Sequence, residues 1–343
     1  MNRFKIAIVG CGSMAGAWVK YAMGRNDSQV VALVDINKEN AIRLAKQYKL
    51  ECSIHTDLEE AVKHSNPNLV FDITVPDAHK TIVTTALELG CDVLGEKPMA
   101  SSMEDAKHML KVVQQTKKSY AVMQNRRYLK NIRELRMMLA KDAIGSIGYV
   151  GADFFLGPHF GGFRDMMDSP LLLDMAIHTF DQARFIADAD PVSVYCHEFN
   201  PPGSWYRGNA SAICIFEFNN SSVFCYRGSW CAEGCNTSWE SDWRIIGSKG
   251  TILWDGTNAP VGEVVEKCDN GSFMSKTNPI GSLGDWMGNE GHAGCLDEMF
   301  TALIEGRKAE TDCSDNIKSM AMVFGAIESA RTGKKIMLHD YFV

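Results

Sequence analysis

Two groups of residues in this 343-residue chain have types and spacings that could do chemistry. The first is Gly10-Cys11-Gly12-Ser13-Met14-Ala15, which follows the apolar run Phe4 to Val9 and precedes a helical run through Trp18, Val19 and Tyr21. A G-x-G-x-x-A segment between a strand and a helix is built to hold a dinucleotide pyrophosphate. Gly10 permits the tight turn, Gly12 lets the phosphates approach the backbone, and Ser13 and Met14 lead into a helix N-terminus carrying partial positive charge. Asp35 ends the next apolar run. A carboxylate roughly 20 residues beyond the loop takes the adenosine ribose diol and repels a 2′-phosphate. NAD is therefore favoured, while Lys38 and Arg43 keep NADP possible.

The second group is Asp174-x-x-x-His178-x-x-Asp181. At ~100° per residue on a helix, Asp174 and His178 stand about 40° apart and one turn from each other. An imidazole titrates near neutral pH and suits a general base, and a carboxylate beside it orients the ring or touches the substrate. A solvated polar face is the other reading of that spacing. Neither it nor Cys225, Cys231 and Cys235 matches a metal-ligand pattern, so no metal is expected.

The elements that must position these groups change character along the chain. Near-continuous apolar runs at 4–9, 30–34, 69–75 and 92–94 alternate with helical segments at 38–48, 58–63 and 79–89. That alternation predicts an α/β domain with a parallel sheet covered on both faces, of the Rossmann type, over residues 1–123. Residues 124–343 read as a second, α+β domain. Residues 211–218 and 222–227 around Asn219-Asn220 form one antiparallel hairpin, and residues 243–246 and 251–254 form another. A helix over 171–187 is expected to cover part of that sheet, residues 258–290 to form a long loop, and 293–304 and 316–331 to be helical.

Lys and Arg total 35 against 42 Asp and Glu, a net charge of −7, which excludes a phosphate-neutralising surface and hence nucleic acid as a partner. No run reaches the ~20 apolar residues of a membrane span, and no signal-peptide pattern precedes Phe4. Eleven scattered cysteines, an odd count, favour reduced thiols and a cytoplasmic protein.

Pro76-Asp77-Ala78-His79 follows the third apolar run and Glu96-Lys97-Pro98 the fourth, so both lie at strand C-terminal ends, where an open α/β sheet binds its ligand. With Asn125-Arg126-Arg127-Tyr128, the Asp174/His178 pair and the Gly247-Ser248-Lys249-Gly250 turn, the whole chain resembles the Gfo/Idh/MocA oxidoreductases, the glucose–fructose oxidoreductase and inositol dehydrogenase family. It departs from the family in having Asp168-Ser169-Pro170-Leu171-Leu172-Leu173 where a Gly-rich stretch is usual. The resemblance implies a large, mostly antiparallel open sheet in the second domain, and a homodimer or homotetramer formed through it. It implies that Thr74, Pro76 and His79 lie along the cofactor and that Glu96 and Lys97 border the nicotinamide, with a Lys97–Pro98 bond that is often cis. Arg127, Lys97, Asp174 and His178 would then meet the substrate. Apart from the resemblance, His159, after Phe154-Phe155-Leu156-Gly157-Pro158, is placed either to line the substrate pocket or to be an ordinary loop histidine. The activity implied is oxidation of a secondary hydroxyl of a sugar, sugar derivative or cyclic polyol, with His178 as base and Lys97 stabilising the alkoxide. An NAD-dependent glycosidase working by transient ring oxidation and a non-enzymatic sensor of the same fold are the alternatives. Among the tryptophans, Trp205 is the best placed to stack on a sugar ring.

Overall fold

A computed structural model describes residues 3–266, 273–282 and 284–342. The chain divides into two compact units: residues 1–125 with 289–317, and residues 126–288 with 318–343. The first unit opens with β1 (Phe4–Val9), α1 (Ala15–Gly24), β2 (Ser28–Val34), α2 (Lys38–Tyr48), β3 (Ser53–His55) and α3 (Leu58–Ser65). It continues through β4 (Leu69–Asp72), α4 (Pro76–Glu88), β5 (Asp92–Gly95), α5 (Met103–Thr116) and β6 (Tyr120–Val122). All six strands are parallel in the order β3-β2-β1-β4-β5-β6. This is the doubly wound Rossmann order, in which the strand sequence reverses beside β1 and opens a ligand crevice at the strand C-termini. β4 is buried along its whole length and β1 at all but one position, as a sheet covered on both faces requires.

Local capping explains where three of the first unit's helices start. Asn37, Asp57 and Ser102 each accept a hydrogen bond from a first-turn amide of α2, α3 and α5. α1 has no side-chain cap and no acid in its first turn, so its N-terminal amides are left to the phosphate-loop side.

The second unit holds α6 (Lys130–Ala140), β7 (Ile147–Phe155), a π-helical stretch Leu171–Ala176, α7 (Ile177–Ala187), β8 (Pro191–Phe199), β9 (Ser211–Phe218), β10 (Val223–Ser229), β11 (Asp242–Gly247) and β12 (Gly250–Trp254). β13 (Val261–Val265) and β14 (Thr277–Ile280) then extend the sheet. This corrects the expectation of an uninterrupted loop over 258–290, of which residues 267–272 and 283 lie outside the described residues. The Gly, Asn and Ser content around them masked two short strands whose register is set by backbone pairing, β13 to β12 and the edge strand β14 to β13. The nine-stranded sheet is antiparallel except for the β7–β10 pair. Both expected hairpins form, pairing Cys225 with Ile215 and Ile245 with Ile252.

α7 covers one face of this sheet. Phe180 sits 4.9 Å from Phe216, 5.1 Å from Tyr226 and 6.1 Å from Phe224, ring centre to ring centre. The opposite face carries Tyr195, Ile213, Ile215, Ile246 and Leu253, all exposed.

The chain then forms α8 (Gly291–Glu305), α9 (Cys313–Thr332), β15 (Ile336–Met337) and α10 (His339–Phe342). An unbroken second domain over 124–343 would include α8, yet residues 289–317 pack with the first unit. The reason is aromatic: Phe300 lies 4.9 Å from Phe4 and 6.0 Å from Phe71, with the Arg25 guanidinium 4.1 Å above its ring. Nothing in the pattern of α8 itself distinguishes that partner from the second sheet.

Candidate functional site

The first unit contributes the loop between β1 and α1. Gly10 has φ +88°, and a Cβ there would come within 2.5 Å of the Ile73 carbonyl oxygen, so only glycine fits. A Cβ on Gly12 would meet no protein atom within 4 Å. Packing does not demand glycine there, and close approach of a ligand to the backbone does. With the uncapped α1 N-terminus beside it, this loop fits a dinucleotide pyrophosphate.

Asp35 follows β2, its Oδ2 accepting from the Cys11 amide at 2.8 Å and its Oδ1 from the Asn37 amide at 2.8 Å. The carboxylate is thus held at the loop by backbone donors. A recess lined by Cys11, Gly12, Ser13, Arg43, Gln47 and Tyr48 adjoins it. Cys11 is buried, and that burial, with the Asp35 carboxylate, pushes its thiol up to about 12.

Residues at the ends of β4 and β5 divide into surface and support. Thr74 is half-buried and Pro76 exposed at the first position of α4. His79, expected along the cofactor, is fully buried: its Nδ1 lies 2.7 Å from Asp72 Oδ2, and Thr74 Oγ1 donates to Asp72 Oδ1 at 2.6 Å. One turn into α4 its side chain points back into the sheet, so it fixes the end of β4 rather than presenting a surface to a ligand.

Glu96 is likewise buried. Its Oε1 accepts from Trp18 Nε1 of α1 at 2.8 Å and lies 3.7 Å from His292 Nε2 of α8, while Oε2 accepts from the Lys97 amide at 3.3 Å. Burial pushes the Glu96 carboxyl up, but the His292 and Trp18 contacts outweigh it and hold the group below its ordinary range. Lys97 follows, half-buried, with a cis bond to Pro98. Sequence reasoning found no role for His292. No local signal marks it, because its partners Glu96 and Asn125 come from other elements.

The second unit contributes the start of α7. Asp174 lies in the π-helical stretch and His178 in the first turn of the α-helix. The wider π turn breaks the 100° projection across 174–176, so helical-wheel angles do not relate the two side chains. Asp174 Oδ2 accepts from Arg164 Nε at 2.8 Å, a partner that sequence reasoning did not name. His178 is buried.

α7 does not have the solvated polar face its sequence allows. Asp181 takes two hydrogen bonds from Arg127, at 2.6 and 2.8 Å, and one from Ser319 at 2.7 Å, all buried. Gln182 donates to Glu240 at 3.0 Å, and Arg184 to Ser319 and Asp190, each at 2.9 Å. Arg127, expected beside the substrate, is therefore engaged in holding α7.

His159 is exposed, stacked on Trp205 at 3.8 Å with its Nε2 2.9 Å from Glu233. That stacking covers a Trp205 face expected to meet a sugar. Among the described residues no group of three metal-ligating side chains occurs.

The family model described as "Oxidoreductase family, NAD-binding Rossmann fold" matches residues 4–124, and its partner, the "C-terminal alpha/beta domain", matches residues 136–338. The chain is 24% identical to the 1,5-anhydro-D-fructose reductase of Ensifer adhaerens, over 97% of this chain and 98% of that protein. It is 28% identical to the D-glucoside 3-dehydrogenase of Escherichia coli, over 64% of this chain and 68% of that one. Its fold superposes with a TM-score of 0.84 on an oxidoreductase from Agrobacterium radiobacter solved with NAD+, L-tartaric acid and magnesium, at 21% identity over 98% and 99% of the two chains. Both halves of the sequence being matched, the chain belongs to the Gfo/Idh/MocA oxidoreductase family, its first unit an NAD-binding Rossmann domain.

Proposed function

We propose that this enzyme is an NAD-dependent dehydrogenase that oxidises a secondary hydroxyl of a cyclic sugar, sugar derivative or polyol. The observation that carries the reading is that Asp174 and a buried His178 stand four residues apart at the head of α7, in a chain whose other unit is an NAD-binding Rossmann domain and carries Lys97 after β5. When bound, the nicotinamide supplies a hydride acceptor.

The rest of the chemistry falls to the chain's own side chains. An imidazole nitrogen of His178 takes the hydroxyl proton, and the Lys97 ammonium stabilises the alkoxide that develops as that proton leaves. Asp174, its charge partly balanced by Arg164, orients the ring or the hydroxyl. Asp35 favours NAD over NADP, and Gly10, Gly12, Ser13, Met14, Thr74, Pro76 and Glu96 border the cofactor. The carbohydrate class is supported by the names of relatives, which include a D-glucoside 3-dehydrogenase and inositol 2-dehydrogenases. The same reading places the enzyme in the cytoplasm, in line with its scattered cysteines, and as a homodimer or homotetramer through the exposed apolar sheet face.

Inositols, aldoses and glycosides, each supplied with NAD or NADP and assayed for reduced nicotinamide, test the reading directly. His178→Ala is expected to lower kcat on the active compound by about 10²–10⁴-fold while NAD still binds by calorimetry. Full turnover in that variant removes His178 from the mechanism.

A further inference from the structure

The segment from Gly157 to Met167 carries more exposed aromatic surface than a connecting loop needs. Phe160 is 55% exposed and Phe163 68%, and Trp239, reached through ring contacts with Phe160 and Trp230, is 45% exposed. A contiguous exposed aromatic patch marks a ligand or interaction surface. The patch is tied to Asp174 by one residue. Arg164 lies between the rings, its guanidinium 5.2 Å from the Phe160 centroid and 4.7 Å from that of Phe163, and its Nε donates to Asp174. Nη1 and Nη2 have no hydrogen-bond partner among the described residues.

Beneath this floor, Phe160 rests on the fully buried Trp230 at 6.0 Å. Gly161 and Gly162, with φ +69° and +72°, turn the backbone between the two phenylalanines. Trp205 is not part of the exposed floor, because His159 covers it.

A ligand suited to these features has a flat, apolar face, polar edges, and a reacting hydroxyl about one ring away. We propose that Phe160, Phe163 and Trp239 form a second ring-binding subsite, so that the substrate is a glycoside. Its oxidised ring is held at Asp174, and its second ring, sugar or aryl, lies on the phenylalanine faces with its edge hydroxyls or glycosidic oxygen on Arg164. This rests on the dehydrogenase reading above and adds the substrate's size to it. Rings with C–H or π faces stack on aromatic side chains, and each such contact is worth about 2–13-fold.

The test compares the methyl and phenyl glycosides of whichever sugar yields NADH, together with a disaccharide ending in that sugar. Wild-type enzyme should favour the two-ring compounds at least ten-fold in kcat/KM. Phe163→Ala, at a mostly exposed position, should cut that preference about ten-fold through KM, and Phe163→Trp should restore it. A wild type without the preference, or a Phe163→Ala enzyme that keeps it in full, overturns the subsite. If no sugar in either form reduces NAD, the dehydrogenase reading itself fails and the subsite falls with it.

Discussion

Arg127 is where two accounts of the same residue part most sharply, and its removal separates them. The family resemblance places its guanidinium at the substrate, whereas the structure buries it at 6% exposure against a 1% exposed Asp181. Truncation to alanine leaves the Asp181 carboxylate in the interior with Ser319 Oγ at 2.7 Å and the Arg184 Nη1 at 4.0 Å as its remaining polar neighbours. Breaking one side of a buried ion pair costs about 3–5 kcal/mol, because the surviving charge has lost its partner but not regained water. At roughly 2–4 °C per kcal/mol for a domain of this size, Arg127→Ala should lower the melting temperature by about 6–20 °C. Replacing both partners, Arg127→Leu with Asp181→Leu, should cost less than the single truncation, since no unpaired charge remains. The assays are thermal unfolding followed by circular dichroism, and steady-state kinetics well below the transition. An Arg127→Ala enzyme with wild-type melting and a strongly raised substrate KM would refute the positioning role and put the guanidinium on the substrate.

Two further outcomes follow from the same reasoning. Gly10→Ala should abolish NAD binding by calorimetry, because the new Cβ meets the Ile73 carbonyl at 2.5 Å in a left-handed conformation; Gly24→Ala, whose Cβ meets nothing within 4 Å, should bind as wild type. Burial raises the Glu198 carboxyl from 4.5 to about 7, with Ser169 as a weak counterweight and Oε1 unpartnered among the described residues. The native state therefore holds this proton more tightly than the unfolded chain. Its contribution is complete below about pH 4.5 and is lost as the pH rises through about 7. Urea unfolding from pH 5 to 8 should show wild type losing roughly 2–3 kcal/mol relative to Glu198→Gln, and parallel profiles would show that Glu198 does not titrate there.

The parts of this protein legible in its sequence are those whose signal is local. The glycine loop, the acid after β2 and the alternation of apolar strands with helices each rest on neighbours a few positions away. α2 begins and ends at the residues its pattern predicts, Lys38 and Tyr48. Short elements escaped: β3 and β6, three residues each, are too brief to show a period. β14 escaped because its Thr-Asn-Pro-Ile composition is that of a loop, and the Val-rich β13 because it is five residues long and set among Gly, Asn and Ser. Asp174 and His178 were marked by type and spacing, but the π stretch that separates their phases leaves no mark in composition.

The sequence by itself thus determined the cofactor chemistry and the two-part architecture, because a phosphate turn and a buried strand are specified by backbone conformation and burial within short segments. Tertiary structure alone decided which side chains are spent on one another. Arg127 went to Asp181, Arg164 to Asp174, His79 to Asp72 and Trp205 to His159. A polar side chain's partner is whatever the fold brings within about 3 Å, and that distance has no counterpart in spacing along the chain.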